Sequence, residues 1–399
     1  MDFALTPPKM PSSVDYNKDS DNFRDVRKIA GDAILTPSRG RLVSSGVLGV
    51  DLTLMGGLNF GSVHELYGFS KSGKTYFIQR FGAMAQAMSP TSIAVFFDRE
   101  NAYDTRTALP SQGLDMNRTI VVPNKDIPDP EHLWEVVLKV IEAIEKVDYK
   151  ESERVVEEVQ EMVKDDPTLT KERKNAAKEY YGRKPKKASP EIYMGVDSVP
   201  AFAEQKDMIV DQGRRAKAWH SFLRRMTAAL DPKLMMVLSN HIIYKPGIYG
   251  NPESKTSGLA LDYYRDCGMK CMNLHYLYDA NDAKVGNMLG VEAEKNRRGA
   301  DGGYTYFPVY YKGGASYYSG ILPYAVYLGL VQQSNLSTFK DKKAYGRVWP
   351  AYTWKDASGK SHRLTEENPE ALGEQIKENG LYNAILKRVY SDLTFGENK

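Results

Sequence analysis

From about residue 62 to residue 239, short apolar segments alternate with longer segments whose apolar residues recur at helical spacing. The short segments predict strands over Val63–Tyr67, Ile93–Asp98, Ile192–Val199 and Leu234–Ser239. The longer segments predict helices over Thr75–Met88, Leu133–Ile144 and Gly213–Leu230. Such alternation is typical of an α/β fold with a mainly parallel central sheet that helices cover.

The last predicted helix is amphipathic. Its apolar face would be formed by Trp219, Phe222, Leu223 and Met226, while its five basic residues point elsewhere. In sheets of this kind ligands bind at the carboxyl ends of the strands. The polar residues that close each strand are therefore the first candidates for function.

Three segments depart from this pattern. Residues 1–20 are rich in Pro, Ser and Asp, which predicts disorder. Residues 146–190 are densely charged and predict an inserted helical excursion, either a solvated face or an arm that contacts a partner or DNA. From Gln332 onward we expect a small α+β domain, in which Asn368 and Pro369 begin a helix. The predicted organisation is an N-terminal flexible or oligomerisation segment (1–40), a core (41–331) and a C-terminal domain (332–399).

Composition narrows the class of protein. The chain has 399 residues, 42% of them hydrophobic, and a formal net charge of +3, which is too small to indicate nucleic-acid binding by itself. Its two cysteines, Cys267 and Cys271, are too few for a disulfide framework and have no partners for a zinc site. No apolar stretch is long enough to span a bilayer. We expect a cytoplasmic protein that does not contact a membrane.

A phosphate-binding loop is the clearest motif. The segment comprises Gly68, Phe69, Ser70, Lys71, Ser72, Gly73, Lys74 and Thr75, and matches G-x-x-x-x-G-K-[ST] between a predicted strand and a predicted helix. Glycines let successive backbone N–H groups point at phosphate oxygens. Lys74 would reach the β- and γ-phosphates and Thr75 would bind Mg²⁺, so that ATP and Mg²⁺ are the expected ligands.

Three residues at predicted strand ends could complete this site. Asp197 suits either a magnesium ligand or a helix cap, and the phosphate loop favours the metal. Glu100 could polarise a water molecule for attack on the γ-phosphate, or be an exposed acidic loop residue. His241 could sense the γ-phosphate, although a lone histidine is more often structural.

Around these motifs the sequence resembles the RecA family of recombinases, and most of all its phage-encoded UvsX kind. The resembling segments are residues 42–51, 98–104, 196–199, 250–264, 294–297 and 310–330. The resemblance implies a RecA-type ATPase core with a small N-terminal polymerisation segment. It implies that Glu100 is the catalytic carboxylate, and it adds Asp104 to the nucleotide-binding residues.

The resemblance also implies two DNA-binding loops. The first would occupy residues 202–213 by position. The second would contain Tyr244, Lys245, Tyr249, Gly250, Asn251, Lys255, Thr256, Ser257 and Gly258. Aromatic and basic residues alternate in this loop, as single-strand binding requires, because bases stack on aromatic rings and cations track phosphates. Composition alone would favour an ordinary polar surface loop.

The implied activity is DNA-dependent ATP hydrolysis by open helical filaments on single-stranded DNA, with pairing and strand exchange against homologous duplex DNA. Lys295 and Arg297 would reach the nucleotide of the neighbouring subunit, and His241 would report nucleotide state to the second DNA loop. Single-strand-binding and mediator proteins are further expected partners. The expected setting is a bacterial or phage-infected cell.

The sequence departs from the usual bacterial pattern of the family at two positions. Bacterial members usually have Gln where His241 stands, and Thr107 stands where they stack a tyrosine on adenine.

A hexameric helicase with the same core would use the same nucleotide site, but residues 250–258 and the Lys295–Arg297 pair favour a recombinase. A non-enzymatic, ATP-gated DNA-binding scaffold would not need Glu100.

Overall fold

The computed structural model describes residues 40–101, 103–106, 112–144, 190–202, 212–244, 253–255, 260–299, 301–334 and 349–391. The predictions for the N-terminal segment, for Thr107 and for nearly all of the charged insertion lie outside these ranges.

The strands and helices have the following bounds. The strands are β1 (Leu42–Val43), β2 (Leu58–Asn59), β3 (Ser62–Gly68), β4 (Ile93–Asp98), β5 (Thr119–Pro123), β6 (Ile192–Asp197), β7 (Leu234–Tyr244), β8 (Glu253–Lys255), β9 (Cys267–Tyr278), β10 (Lys284–Asn296), β11 (Gly303–Tyr310), β12 (Val331–Ser334), β13 (Ala351–Lys355) and β14 (Ser361–Leu364). The helices are α1 (Leu48–Thr53), α2 (Lys74–Met88), α3 (130–144), α4 (Gln212–Ala229), α5 (Ala260–Tyr264), α6 (Ile321–Tyr327), α7 (Pro369–Glu378) and α8 (Leu381–Ser391).

A large mixed sheet forms the centre of the molecule. Within the described ranges it has nine strands, in the order β11-β10-β9-β3-β7-β6-β4-β5, with β8 beside β7. The strands from β9 to β5 run parallel, whereas β10, β11 and β8 are antiparallel to their neighbours. The prediction of an α/β fold with a mainly parallel central sheet is confirmed.

Helices cover both faces of this sheet, which explains why β4 and β6 read as nearly continuous apolar runs. In β4, Phe96 packs with the α2 residues Phe77 and Phe81 on one face. Its neighbours Val95 and Phe97 pack with α3 and α4 on the other face. The predicted apolar face of α4 is confirmed, since the following side chains are all buried: Trp219, Phe222, Leu223 and Met226.

Two predicted strand boundaries were wrong. The strand predicted over Ile192–Val199 ends at Asp197, because Val199–Phe202 forms a 3-10 helix. The strand predicted over Leu234–Ser239 continues to Tyr244, because residues 242–244 pair with β8. This extension carries β7 beyond the phosphate loop and into a hairpin with β8.

The C-terminal stretch contains a three-stranded antiparallel sheet in the order β12-β13-β14 and the helices α7 and α8. Its apolar residues pack with those of α1 and α6 in one cluster. Asn368 caps α7 by accepting a hydrogen bond from the backbone N–H of Ala371, with Pro369 in the first turn. The predicted helix start is thus confirmed.

Both cysteines lie on β9 with buried thiols, and burial raises the pKa of each to about 12.

Among the described residues, no helix is long and apolar enough to cross a membrane.

Candidate functional site

The glycine-rich loop lies between β3 and α2, at the carboxyl edge of the parallel strands. Gly73 adopts φ +91° and Lys71 φ +60°, so the loop curls before α2 begins. The Lys74 ammonium lies across the curl and donates hydrogen bonds to the carbonyl oxygens of Gly68 (3.1 Å) and Phe69 (2.8 Å). Burial lowers the Lys74 pKa.

Close packing explains why two positions in this loop are glycine. A Cβ on Gly68 would lie 2.2 Å from the carbonyl oxygen of Cys271, and one on Gly73 would lie 2.5 Å from Cδ1 of Leu289. Ser72 Oγ is buried and has no hydrogen-bond partner among the residues that the structure describes. The loop therefore offers a cation and an unsatisfied hydroxyl, which fit the oxygens of a bound phosphate.

Asp197 and Thr75 meet beside the loop. Thr75 Oγ1 donates a hydrogen bond to Asp197 Oδ2 over 2.6 Å, and Ser239 donates to the other carboxylate oxygen. Asp197 is 2% exposed, and burial raises its pKa against the effect of these hydrogen bonds. The described residues contain no cluster of three or more His, Cys, Asp and Glu side chains that could hold a metal. A hydroxyl beside one carboxylate fits Mg²⁺, which usually takes its remaining ligands from water and phosphate.

Glu100 and His241 also meet at this edge, although 141 positions separate them in sequence. His241 is paired with Gly68 across β7 and β3, which places it next to the phosphate loop. Its Nε2 lies 3.4 Å from Oε1 of Glu100, and Ser198 donates a hydrogen bond to the same oxygen. These contacts lower the Glu100 pKa, chiefly through the hydrogen bond from His241.

A cleft of about 740 Å³ opens beside the loop. One wall is the segment 71–76, and the other comes from β9, β10 and the end of β11. The second wall carries Tyr276, Lys284, Tyr310 and Tyr311, with the Lys284 ammonium 3.9 Å from the centroid of the Tyr276 ring. Sequence reasoning missed these residues, although the tyrosines before Gly313 were a visible signal.

Asp104 lies in an exposed turn, where its Oδ1 accepts a hydrogen bond from the backbone N–H of Arg106 over 2.8 Å. Its assignment to the nucleotide site stays a prediction.

Two described residues belong to the predicted second DNA loop, and they differ in placement. Tyr244 is 64% exposed at the end of β7. The Lys255 side chain is 13% exposed and points inward, with its Nζ 2.8 Å from Asp262 and 3.2 Å from Glu65. The sequence pattern had suggested an accessible cation here. The other predicted loop residues lie outside the described ranges.

Lys295 and Arg297 are not brought to the phosphate loop of their own chain. Lys295 pairs with Gly268 of β9, which pairs with Glu65 of β3, three residues before Gly68. From Glu65 to Gly68 is about 10 Å along β3, and the two strand spacings from β10 across β9 to β3 add about 10 Å in the perpendicular direction. The Lys295 ammonium donates to the carbonyl oxygen of Asp262 over 2.7 Å, and Arg297 pairs with Asp266 over 2.7 Å.

A mainly parallel sheet, a glycine-rich loop leading into a helix, and carboxylates at the adjacent strand ends define a P-loop nucleotide-binding protein. No family model matches the chain. It is 27% identical over 351 residues to the RecA protein of Nitrobacter winogradskyi, covering 84% of this chain and 82% of that one. It is 26% identical to the RecA protein of Zymomonas mobilis, covering 84% and 85%, and 27% identical to that of Rhodopseudomonas palustris, covering 76% and 75%. Over most of its length the chain is thus similar to RecA proteins of several bacteria.

Proposed function

We propose that the chain is a DNA-dependent ATPase that assembles as an open helical filament on single-stranded DNA and catalyses homologous pairing and strand exchange. The observation that carries this proposal is the meeting of the Thr75–Asp197 pair and the Glu100–His241 pair beside one phosphate loop, in a chain that is similar to RecA proteins over most of its length. The finer placement among phage-encoded members of the UvsX kind is also a proposal.

At the nucleotide, Lys74 would contact the β- and γ-phosphates, while Thr75 and Asp197 would hold the magnesium ion. Magnesium would neutralise charge on the phosphates. Glu100 would polarise the attacking water. Its pKa is lowered by the contacts with His241 and Ser198, so the carboxylate is ionised near neutral pH. His241, in contact with Glu100, would respond to the γ-phosphate.

On DNA, the residues between Tyr244 and Gly258 would bind the single strand, with Tyr244 supplying an exposed ring for base stacking. Residues 1–40 would mediate polymerisation, and residues 332–399 would gather the homologous duplex. Single-strand-binding and mediator proteins would assist assembly.

Lys295 and Arg297 would complete the site of the next subunit. Their placement away from their own phosphate loop supports this role, since a group that is distant in one chain can serve a neighbour in a filament. Such cationic groups are worth ~10³–10⁵ in rate when they stabilise charge on the γ-phosphate.

The decisive experiment is ATP hydrolysis with and without single-stranded DNA, for the wild type and for Lys74→Ala, Lys295→Ala and Lys139→Ala. Lys139 is exposed on α3, so its loss controls for the removal of a lysine. We expect DNA to stimulate the wild type and the control, and neither of the other two variants.

An ATP hydrolysis rate that is the same with and without DNA, and that Lys295→Ala does not change, would contradict the proposal. Electron microscopy with ATP and single-stranded DNA separates the rival functions. Closed rings would indicate a helicase, and filaments without turnover would indicate a scaffold.

A further inference from the structure

A buried ion cluster lies behind the phosphate loop. At its centre are Glu65 of β3, whose side chain is fully buried, and Arg265, whose side chain is 4% exposed. Lys255 of β8 joins them, with its ammonium 4.0 Å from the centroid of the Tyr67 ring. Buried charges are costly unless they are paired and hydrogen-bonded, so this arrangement is well defined by its contacts.

The two carboxylate oxygens of Glu65 face different parts of the site. Oε2 accepts from Arg265 and from Lys255, the latter over 3.2 Å. Oε1 accepts from the side-chain amide of Asn240 over 2.7 Å. Glu65 therefore connects Lys255 of β8 to Asn240 of β7, the residue that precedes His241.

Asn240 in turn contacts His241. Its Oδ1 accepts a hydrogen bond from the backbone N–H of His241 over 2.9 Å. The His241 ring then lies 3.4 Å from Glu100. Polar contacts thus connect Lys255 to the backbone of His241, and the ring of the same histidine reaches the carboxylate beside the phosphate loop.

We propose that Glu65 is a positioning residue that transmits the placement of Lys255 to Asn240, His241 and Glu100, so that nucleic acid bound at the hairpin and nucleotide bound at the phosphate loop influence each other. The inference rests on the proposed function and names a route of regulation within that site. Glu65 touches neither ligand and acts through the residues that it holds.

The physical basis is competition for one cation. A phosphate of single-stranded DNA at the hairpin would compete with Glu65, Asp262 and Glu294 for the Lys255 ammonium, which all three contact. Arg265 would stay paired with Glu65, because a second nitrogen of its guanidinium group is held by the Asp262 carboxylate at 2.7 Å. Loss of the Lys255 contact changes the charge balance at Glu65 and hence its hydrogen bond to Asn240. By linkage, nucleotide that fixes His241 must change DNA affinity by the same factor.

The test is the affinity for a fluorescent oligo-dT, measured by anisotropy at one salt concentration with and without a non-hydrolysable ATP analogue. The ratio of the two dissociation constants is the coupling factor, expected to be at least about fivefold in the wild type. Lys255→Met and Glu65→Gln should bring the ratio close to one. Lys270→Met is the matched control, because Lys270 pairs at 2.6 Å with Glu253 of the same hairpin and has no bond to Glu65 among the described contacts; it should keep the wild-type ratio.

Lys255→Met that weakens DNA binding equally with and without the analogue would overturn the inference, since Lys255 would then be a simple phosphate contact. A loss of coupling in Lys270→Met as well would overturn it too, because the route through Glu65 would not be specific. If Glu65→Gln does not fold, Lys255→Met decides alone, since Arg265 still balances Glu65. In these cases the proposed function stands, whereas wild-type protein that binds no oligonucleotide would remove both.

Discussion

At the scale of single residues, Asp197 shows a conflict between stability and function. The carboxylate is buried and its pKa is raised, so ionisation is less favourable in the folded protein than in water. Thr75 and Ser239 offset part of this cost with hydrogen bonds. A nearby divalent cation would favour the ionised form, which explains why a charged residue would be placed here.

We expect Asp197→Asn to stabilise the magnesium-free protein by about 0.5–2 kcal/mol, because it removes a buried charge while keeping the side chain's shape. The same change should abolish magnesium-dependent ATP hydrolysis. Thermal unfolding in EDTA and ATPase assays over a range of magnesium concentrations measure the two effects. Lower stability in EDTA would show that the hydrogen bonds to the carboxylate outweigh its burial.

Residue types alone did not reveal the placement of Lys255. The sequence marked it as a basic residue among aromatic ones, and that pattern is the same whether the side chain points outward or inward. Its ion pairs come from β3, α5 and β10, which are up to 190 positions away. Such partners are set by the sheet order, which local periodicity does not encode.

At the scale of elements, strands with continuous apolar runs were predicted well, because burial on both faces leaves a strong signal in the sequence. The phosphate loop followed from its motif between a predicted strand and a predicted helix, and the candidate carboxylates followed from the predicted strand ends. The cleft wall from β9, β10 and β11 did not, because these strands pair antiparallel with one another and their cleft-facing residues meet only after the sheet has formed.

Glu366 joins two elements of the C-terminal region in a way that predicts a dependence on pH. It is buried and accepts hydrogen bonds from the backbone N–H groups of Gly320 (3.3 Å) and Leu322 (3.1 Å) at the start of α6. Burial raises its pKa from 4.5 to about 8. The folded state therefore binds a proton that the unfolded state releases.

The contribution of Glu366 to stability is fully present below pH 4.5 and is lost as the pH rises towards 8. We expect Glu366→Gln, which cannot ionise, to make the urea midpoint less dependent on pH between 5 and 8. Glu367→Gln, at an exposed neighbouring position, is the control. Parallel pH profiles for wild type and Glu366→Gln would show that the carboxyl group titrates normally.

At the scale of the whole molecule, the distance between Lys295 and its own phosphate loop predicts that two inactive variants can restore each other. A filament is built by heterologous contacts, in which one surface of each subunit meets a different surface of the next. A Lys295→Ala subunit with an intact loop would become active beside a Lys74→Ala subunit with an intact Lys295.

In an equal mixture of Lys74→Ala and Lys295→Ala, random assembly gives this order at about one interface in four. We therefore expect about a quarter of the wild-type ATPase rate with single-stranded DNA, and almost none from either variant alone. Mixing either variant with itself at the same total concentration is the control. Mixtures that stay inactive would indicate that Lys295 serves its own chain.

The burial of the two β9 thiols affects how they would react with oxidants. Oxidants such as peroxide attack the thiolate, and a buried thiol with a pKa near 12 is almost never in that form. The backbone carbonyl of Cys271 lies against Gly68, so a shift of β9 at this residue would reach the phosphate loop. Because both thiols are buried and their pKa values are raised, we expect them to react slowly with peroxide.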